Sequence, residues 1–120
     1  MEVKAGEVIL IDIPFIDNSS SKIRPAFVLF SDFENVVVIG ITSNPKMHGI
    51  LLTKKDGLIK DSVLKLNYIF TLPKGTIIQK ICYLCYNKRK EIYLELEKLL
   101  KEIISNWLLD TYPPENDPLL

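Results

Sequence analysis

The sequence KIRPAFVL, residues 22–29, places a cation and a proline directly before an apolar run. A polar stretch rich in Asn and Ser precedes it at positions 17–21. Because Pro25 has no backbone N–H, it suits the first residue of a strand. The pattern therefore predicts a strand that begins at Pro25 and continues to Ser31. Arg24 is predicted to lie at the junction of loop and sheet, where its charge can face a groove.

The neighbouring segments are rich in β-branched and apolar residues, which predicts further strands. They are residues 7–13, 36–42, 50–53, 62–66, 68–72 and 76–86. The apolar period then changes to that of a helix over residues 88–109. Its apolar stripe comprises Ile92, Leu96, Leu99, Leu100, Ile103 and Trp107. The order predicts a mainly β fold, a small curled antiparallel barrel with a C-terminal helix packed against it.

Length and composition limit the classes of function. The 120 residues predict one domain over 1–112, followed by a flexible tail over 113–120. The net charge of +0 excludes a global cationic field, so any nucleic-acid site must be a local patch. There is no secretory signal and no apolar run near the roughly 20 residues that span a bilayer, which predicts a cytoplasmic protein without membrane contact.

Arg24 and Thr42 are the first candidates for chemistry, because both are predicted at strand ends beside polar loops. A guanidinium binds phosphate through two hydrogen bonds and stabilises developing negative charge, and a neighbouring hydroxyl can add a donor. The alternative is structural: Arg24 forms an ion pair with Asp12 or Asp32, and Thr42 fills a strand. Spacing alone leaves both interpretations open.

The loops beside these two residues are basic and rich in hydrogen-bond donors, as a groove for single-stranded nucleic acid requires. The candidates are Asn18, Ser19, Ser20, Ser21, Lys22, Asn44, Lys46, His48, Lys54 and Lys55, with Phe15 as a stacking face. The alternative for each lysine is simple solvation. Cys82 and Cys85 form a C-x-x-C motif inside a predicted strand, which indicates structural cysteines. No spacing in the sequence predicts a metal site.

Four motifs in this order resemble the MazF/PemK family of toxin–antitoxin endoribonucleases, in particular its PemK-like branch. The first is Gly6-Glu7-Val8 with Pro14-Phe15, and the second is the Lys22–Ala26 stretch quoted above. The third is ITSN at residues 41–44, and the fourth spans residues 57–72. The resemblance covers residues 6–105.

The resemblance implies an SH3-like barrel that forms a homodimer, needs no metal or other cofactor, and cleaves single-stranded RNA at a short sequence. The 2′-hydroxyl would attack the adjacent phosphate and leave a 2′,3′-cyclic phosphate and a 5′-hydroxyl. Arg24 would be the principal catalytic residue, stabilising the phosphorane and passing a proton. Thr42 would bond the phosphate and Ser43 would assist. A cognate antitoxin would be the protein partner.

Two alternatives concern function. An SH3-like barrel can be a binding module that acts through protein partners, because a fold does not fix a function. A relative of the same fold could instead bind gyrase. The neutral net charge slightly favours the binding module, whereas the Arg24-Pro25 and Thr42-Ser43 motifs favour phosphate chemistry over gyrase binding.

Overall fold

Six antiparallel strands form one curled sheet in the computed structural model, which describes residues 1–14, 21–44 and 46–105. The strands are β1 (Glu7–Pro14), β2 (Ser21–Asp32), β3 (Asn35–Thr42), β4 (Ile50–Leu52), β5 (Ser62–Pro73) and β6 (Ile77–Tyr83). Their order across the sheet is β4-β5-β3-β2-β1-β6, and one helix, α1 (Tyr86–Ser105), follows. The predicted fold class, a small curled antiparallel β structure with a C-terminal helix, is confirmed.

The sheet buries apolar side chains on both faces. Successive strand residues point to opposite faces, so Phe27 and Ile39 belong to one core while Val28 and Val38 belong to the other. The first core also receives Leu84 and Ile92, which place α1 on that face. Because β3 is apolar on both faces and lies between β2 and β5, its predicted central position is confirmed.

β2 begins at Ser21 and not at Pro25, so the predicted start of this strand is wrong. The ladder with β1 runs from Phe27 through Pro25 to Ser21, whereas the ladder with β3 starts only at Ala26. Proline lacks the N–H that a ladder needs. Pro25 therefore limits pairing on one side of β2, while the strand continues on the other.

Gly6 and Glu7, which open the first motif, have structural roles. Gly6 has a φ of +97°, and a Cβ there would lie 2.5 Å from Arg89 Cδ, so only glycine fits. Its N–H donates to Val28 O at 2.9 Å, and its carbonyl accepts from Leu84 N at 3.2 Å. The buried Glu7 carboxylate accepts the Lys4 N–H and pairs with Lys80. These contacts hold the amino terminus, β2 and the start of α1 together.

Helix α1 contacts the sheet only through its first turns. Arg89 Nε donates to Leu84 O at 2.9 Å, Lys88 Nζ donates to Leu51 O at 3.2 Å, and Ile92 is buried. Further along, Leu99 is 48% exposed and Ile103 is 77% exposed. The predicted packing of the helix against the sheet is therefore observed at Ile92, whereas the later part of the apolar stripe is exposed. Trp107 lies outside the described residues, as does the predicted tail at 113–120.

None of the helices in the described part of the chain is long and apolar enough to cross a membrane.

Candidate active site

Arg24 lies inside β2, opposite Ile11 of β1. The paired residues Ala26 and Gly40 fix the register between β2 and β3. This pair ends the ladder, and two residues beyond it on each strand are Arg24 and Thr42, which line the same surface cavity. Since both positions differ by two from the reference pair, their side chains share one face of the sheet. Arg24 is therefore not at the junction of loop and sheet, as predicted, but within β2, near the end of β3.

The structure does not support an ion pair between Arg24 and either predicted carboxylate. Asp12 pairs with Ile23 in the ladder, so its side chain lies on the opposite face from Arg24. One oxygen of Asp12, Oδ1, is buried and has no hydrogen-bond partner among the described residues. Asp32 lies at the far end of β2, opposite Asn35. The Arg24 guanidinium has no salt bridge to a described residue.

Two surface cavities share Arg24 as a wall, together with Pro25 and Ile41. We call them the cationic cavity, of about 280 Å³, and the aromatic cavity, of about 360 Å³. The cationic cavity is lined by Leu10, Lys22, Ile23, Arg24, Pro25, Ile41, Ser43, Leu58, Ile59, Lys60, Ser62 and Ile81. The aromatic cavity is lined by Ile13, Arg24, Pro25, Gly40, Ile41, Thr42, Met47, Tyr68 and Phe70.

The cationic cavity has the chemistry of an anion site. Lys22, Arg24 and Lys60 contribute positive charge, and Ser43 contributes a hydroxyl. Its described lining includes no Asp or Glu. Lysine and arginine beside hydroxyl donors are the groups that proteins use to bind phosphate. Net neutrality of the chain therefore coexists with a local cationic patch, as the sequence predicts.

Thr42 is held by the loop that follows β3. Its Oγ1 accepts the backbone N–H of Asn44 at 3.2 Å. The Asn44 side chain in turn accepts the Lys46 N–H at 3.0 Å. The backbone carbonyl of Asn44 accepts the Met47 N–H. A hydroxyl that accepts through one lone pair keeps its hydrogen for donation. Thr42 can therefore donate toward a ligand in the aromatic cavity, where its side chain lies.

The remaining predicted RNA-binding residues divide into three groups. Phe15, Asn18, Ser19 and Ser20 lie outside the described residues, and Ser21 is described only as the strand residue that pairs with Pro14. Lys22 and Ser43 line the cationic cavity. Asn44, Lys46, His48 and Lys54 are exposed and line neither cavity.

Four polar or aromatic lining residues were not among the sequence candidates: Lys60, Ser62, Tyr68 and Phe70. All belong to β5 or to the loop before it. A signal for two of them existed in the sequence, because Tyr68 and Phe70 alternate around Ile69 and so point to one face. Their position beside Arg24 depends on the order of the strands in the sheet, which cannot be predicted from the sequence alone.

The C-x-x-C motif spans the end of a strand and the start of a helix, so its predicted place inside one strand is wrong. Cys82 belongs to β6, and Cys85 immediately precedes α1. Burial, and to a lesser degree the nearby Asp56 carboxylate, raise the pKa of the Cys82 thiol. A raised pKa lowers the thiolate fraction and opposes nucleophilic or redox chemistry.

Cys82 is accordingly expected to react slowly with alkylating reagents. In the Cys85→Ser variant, the rate of reaction with iodoacetamide should reach its half-maximal value at a higher pH than that of a free model thiol, whose pKa is about 8.5. The measurement is the pH dependence of the alkylation rate. A midpoint at or below that of the model thiol would contradict the buried environment of Cys82.

The fold and site define a class: a small curled β structure whose central strands present an arginine and a threonine beside a cationic cavity. A sequence profile of the PemK-like, MazF-like toxins of type II toxin–antitoxin systems matches residues 4–100. The chain belongs to this family. The match includes the whole sheet and most of α1.

Solved structures show the same fold at low sequence identity. A mycobacterial endoribonuclease in complex with its cognate antitoxin superposes with a TM-score of 0.66 at 15% identity, over 82% of this chain and 95% of that one. The MazE–MazF complex of Deinococcus radiodurans gives 0.65 at 18% identity, with the same coverage of 82% and 95%. The Mycobacterium tuberculosis toxin MazF-mt6 gives 0.54 at 22% identity, over 73% and 90%.

Proposed function

We propose that this toxin is a metal-independent endoribonuclease that cleaves single-stranded RNA at a short sequence. The observation that carries the proposal is the position of Arg24 between two cavities, with the hydroxyls of Thr42 and Ser43 on either side. Membership of the MazF-like family supports it. A permanently charged group at a wall shared by two cavities suits a phosphodiester that joins two nucleotides.

The proposed reaction is an internal transesterification. The ribose 2′-oxygen forms a bond to the adjacent phosphorus and loses its proton to solvent. The bond from phosphorus to the 5′-oxygen breaks, and that oxygen takes up a proton. The products are a 2′,3′-cyclic phosphate and a 5′-hydroxyl.

Arg24 acts by stabilising charge. As the phosphorane forms, negative charge grows on its equatorial oxygens, and a guanidinium can donate two parallel hydrogen bonds to them. The proposed roles of Thr42 and Ser43 are to donate one hydroxyl each to the same group. Lys22 and Lys60 would hold a neighbouring phosphate.

We propose three partners: the RNA substrate, a second copy of the chain and a cognate antitoxin. The two solved complexes cited above contain antitoxins, and family membership supports the same for this protein. Exposed apolar side chains, among them Phe30 at 52% and Leu100 at 53%, offer surface for protein contacts. A cytoplasmic location follows from the RNA substrate.

Incubation of the full-length protein with mixed-sequence single-stranded RNA in EDTA tests the proposed activity. We expect discrete fragments whose upstream pieces end in a 2′,3′-cyclic phosphate, detected by mass spectrometry. Because the mechanism uses no metal, EDTA should leave the rate unchanged. Absence of fragments across broad sequence coverage, or cleavage only after magnesium is added, would overturn the proposal.

A further inference from the structure

The aromatic cavity owes its shape to an irregularity in β5. Ile39 of β3 pairs with Ile69, but Ile41 pairs with Leu64. Residues 65–68 of β5 therefore lie opposite Gly40 alone. This bulge takes four residues of β5 out of the regular ladder, beside Gly40, which lines the same cavity as Arg24 and Thr42. Tyr68, the last residue of the bulge, thereby becomes part of the cavity wall.

Tyr68 and Phe70 lie beside Gly40. A Cβ at Gly40 would lie 3.3 Å from Tyr68 Cβ, 3.4 Å from Phe70 Cε1 and 3.7 Å from the nearest Tyr68 ring atom, so a larger residue would require a small shift of these neighbours. The Tyr68 side chain is nevertheless 45% exposed, and Lys65 Nζ lies 5.4 Å from its ring centroid. An aromatic ring that is supported at its root but exposed to solvent is available to a ligand.

We propose that the aromatic cavity is a nucleobase site, in which a base stacks on Tyr68 while the phosphate attached to its nucleotide lies at Arg24. This inference rests on the proposed function only for the identity of the phosphate as part of RNA. The combination of a flat aromatic face, an apolar floor and a cation at the rim matches nucleotides, which are themselves a planar base joined to an anion.

The two cavities then have different tasks. The aromatic cavity carries Tyr68, Phe70 and Met47, whereas the cationic cavity carries Lys22 and Lys60. Bases bind through stacking and phosphates through charge. The base bound in the aromatic cavity determines which phosphate lies at Arg24. Lys22 and Lys60 in the cationic cavity then bind the neighbouring phosphate of the RNA. Tyr68 is therefore the base-binding residue of this site.

Binding of a fluorescein-labelled, mixed-sequence 2′-O-methyl RNA hexamer, measured by anisotropy, tests the base site. The methyl group removes the nucleophile, so binding is measured without cleavage. Tyr68→Leu is expected to raise Kd by about 5- to 150-fold, the range found when one stacking side chain is removed. Tyr68→Phe keeps the ring and should bind as the wild type does. An abasic hexamer should bind wild type and Tyr68→Leu equally.

The matched control is Tyr93→Leu, which removes a ring of α1 that is 62% exposed and lines neither cavity at Arg24. Met47→Ala alters the wall of the aromatic cavity at a second position and should also weaken binding. Thermal unfolding of each variant establishes that it is folded. If Tyr68→Leu binds as tightly as the wild type, if Tyr93→Leu loses as much, or if the wild type does not bind, the base site is overturned.

Cleavage of unmodified RNA separates this inference from the proposed function. Binding that depends on Tyr68, in a wild-type protein that cleaves no RNA, would overturn the nuclease activity and support the base site. Cleavage by the wild type, together with binding that does not depend on Tyr68, would support the nuclease activity and overturn the base site.

Discussion

Replacement of Arg24 by alanine is expected to lower the rate constant for RNA cleavage by about 10²- to 10³-fold, the typical cost of removing one preorganised donor to a developing oxyanion. Among the described residues, Arg24 is the only charged one that lines both cavities. It makes no salt bridge within this part of the chain, so its removal should leave none of the described carboxylates unpaired. The measurement is single-turnover cleavage of an RNA substrate by purified variant and wild type.

Conservative variants separate charge from geometry. Arg24→Lys keeps the charge but loses the planar pair of donors, so its rate should fall between those of alanine and arginine. Thr42→Val keeps the shape of the side chain and removes one hydroxyl, with an expected loss of about 10- to 150-fold for one hydrogen bond to a charged group. Lys98→Ala is the control, because Lys98 is an exposed cation of α1 that lines neither cavity and is not among the predicted RNA-binding residues. Wild-type rates in a folded Arg24→Ala protein would refute the assignment.

Replacement of Leu64 by alanine should lower the free energy of unfolding by about 2–5 kcal/mol, the cost of truncating a fully buried leucine. Leu64 is 0% exposed and pairs with both Ile41 of β3 and Ile50 of β4. The cavity left by this change would lie where three strands meet. For a chain of this length, the melting temperature should fall by roughly 8–20 °C.

Leu51→Ala is the matched control for this prediction. Leu51 pairs in the same ladder, opposite Val63, but its side chain is 56% exposed. It should change stability by less than about 0.5 kcal/mol, as surface substitutions usually do. Urea denaturation of both variants measures the difference. Equal losses for the two leucines would mean that the first core does not depend on Leu64.

Most of the sheet could be predicted because its strands are dense in β-branched residues. β3 is the clearest case: seven of its eight residues were assigned from composition alone. The predicted start of β2 at Pro25 is wrong because a proline does not have to be the first residue of a strand. In the folded chain Pro25 lies within β2, since only one of its two neighbouring ladders would use its N–H.

The helix shows a different limit of sequence reasoning. An apolar stripe predicts which side of a helix is suited to burial but not where the surface that covers it ends. Ile92 meets the first core, whereas Ile103 of the same stripe is 77% exposed. Sequence periodicity is the same at both positions, so only the length of the sheet distinguishes them.

The candidate site was predictable where it depends on neighbouring strands of the chain. Arg24 and Thr42 belong to β2 and β3, which are joined by a short turn and therefore pair. Tyr68 and Lys60 come from later segments, and Tyr68 lies in the bulge opposite Gly40. The sequence predicts two strands separated at Asn67, whereas the structure has one strand, β5, with Asn67 inside its bulge. A break in composition does not indicate how many residues of one strand lie opposite one residue of its neighbour.

The same bulge has a consequence for how the toxin can diversify. Its four residues lie outside the regular ladder, while Ile69 and Leu64 on either side keep their partners. Substitutions at Tyr68 can therefore change what the surface recognises without shifting the register of any strand. A lineage can alter its choice of target through this short segment and keep the arginine, the threonine and the fold that presents them.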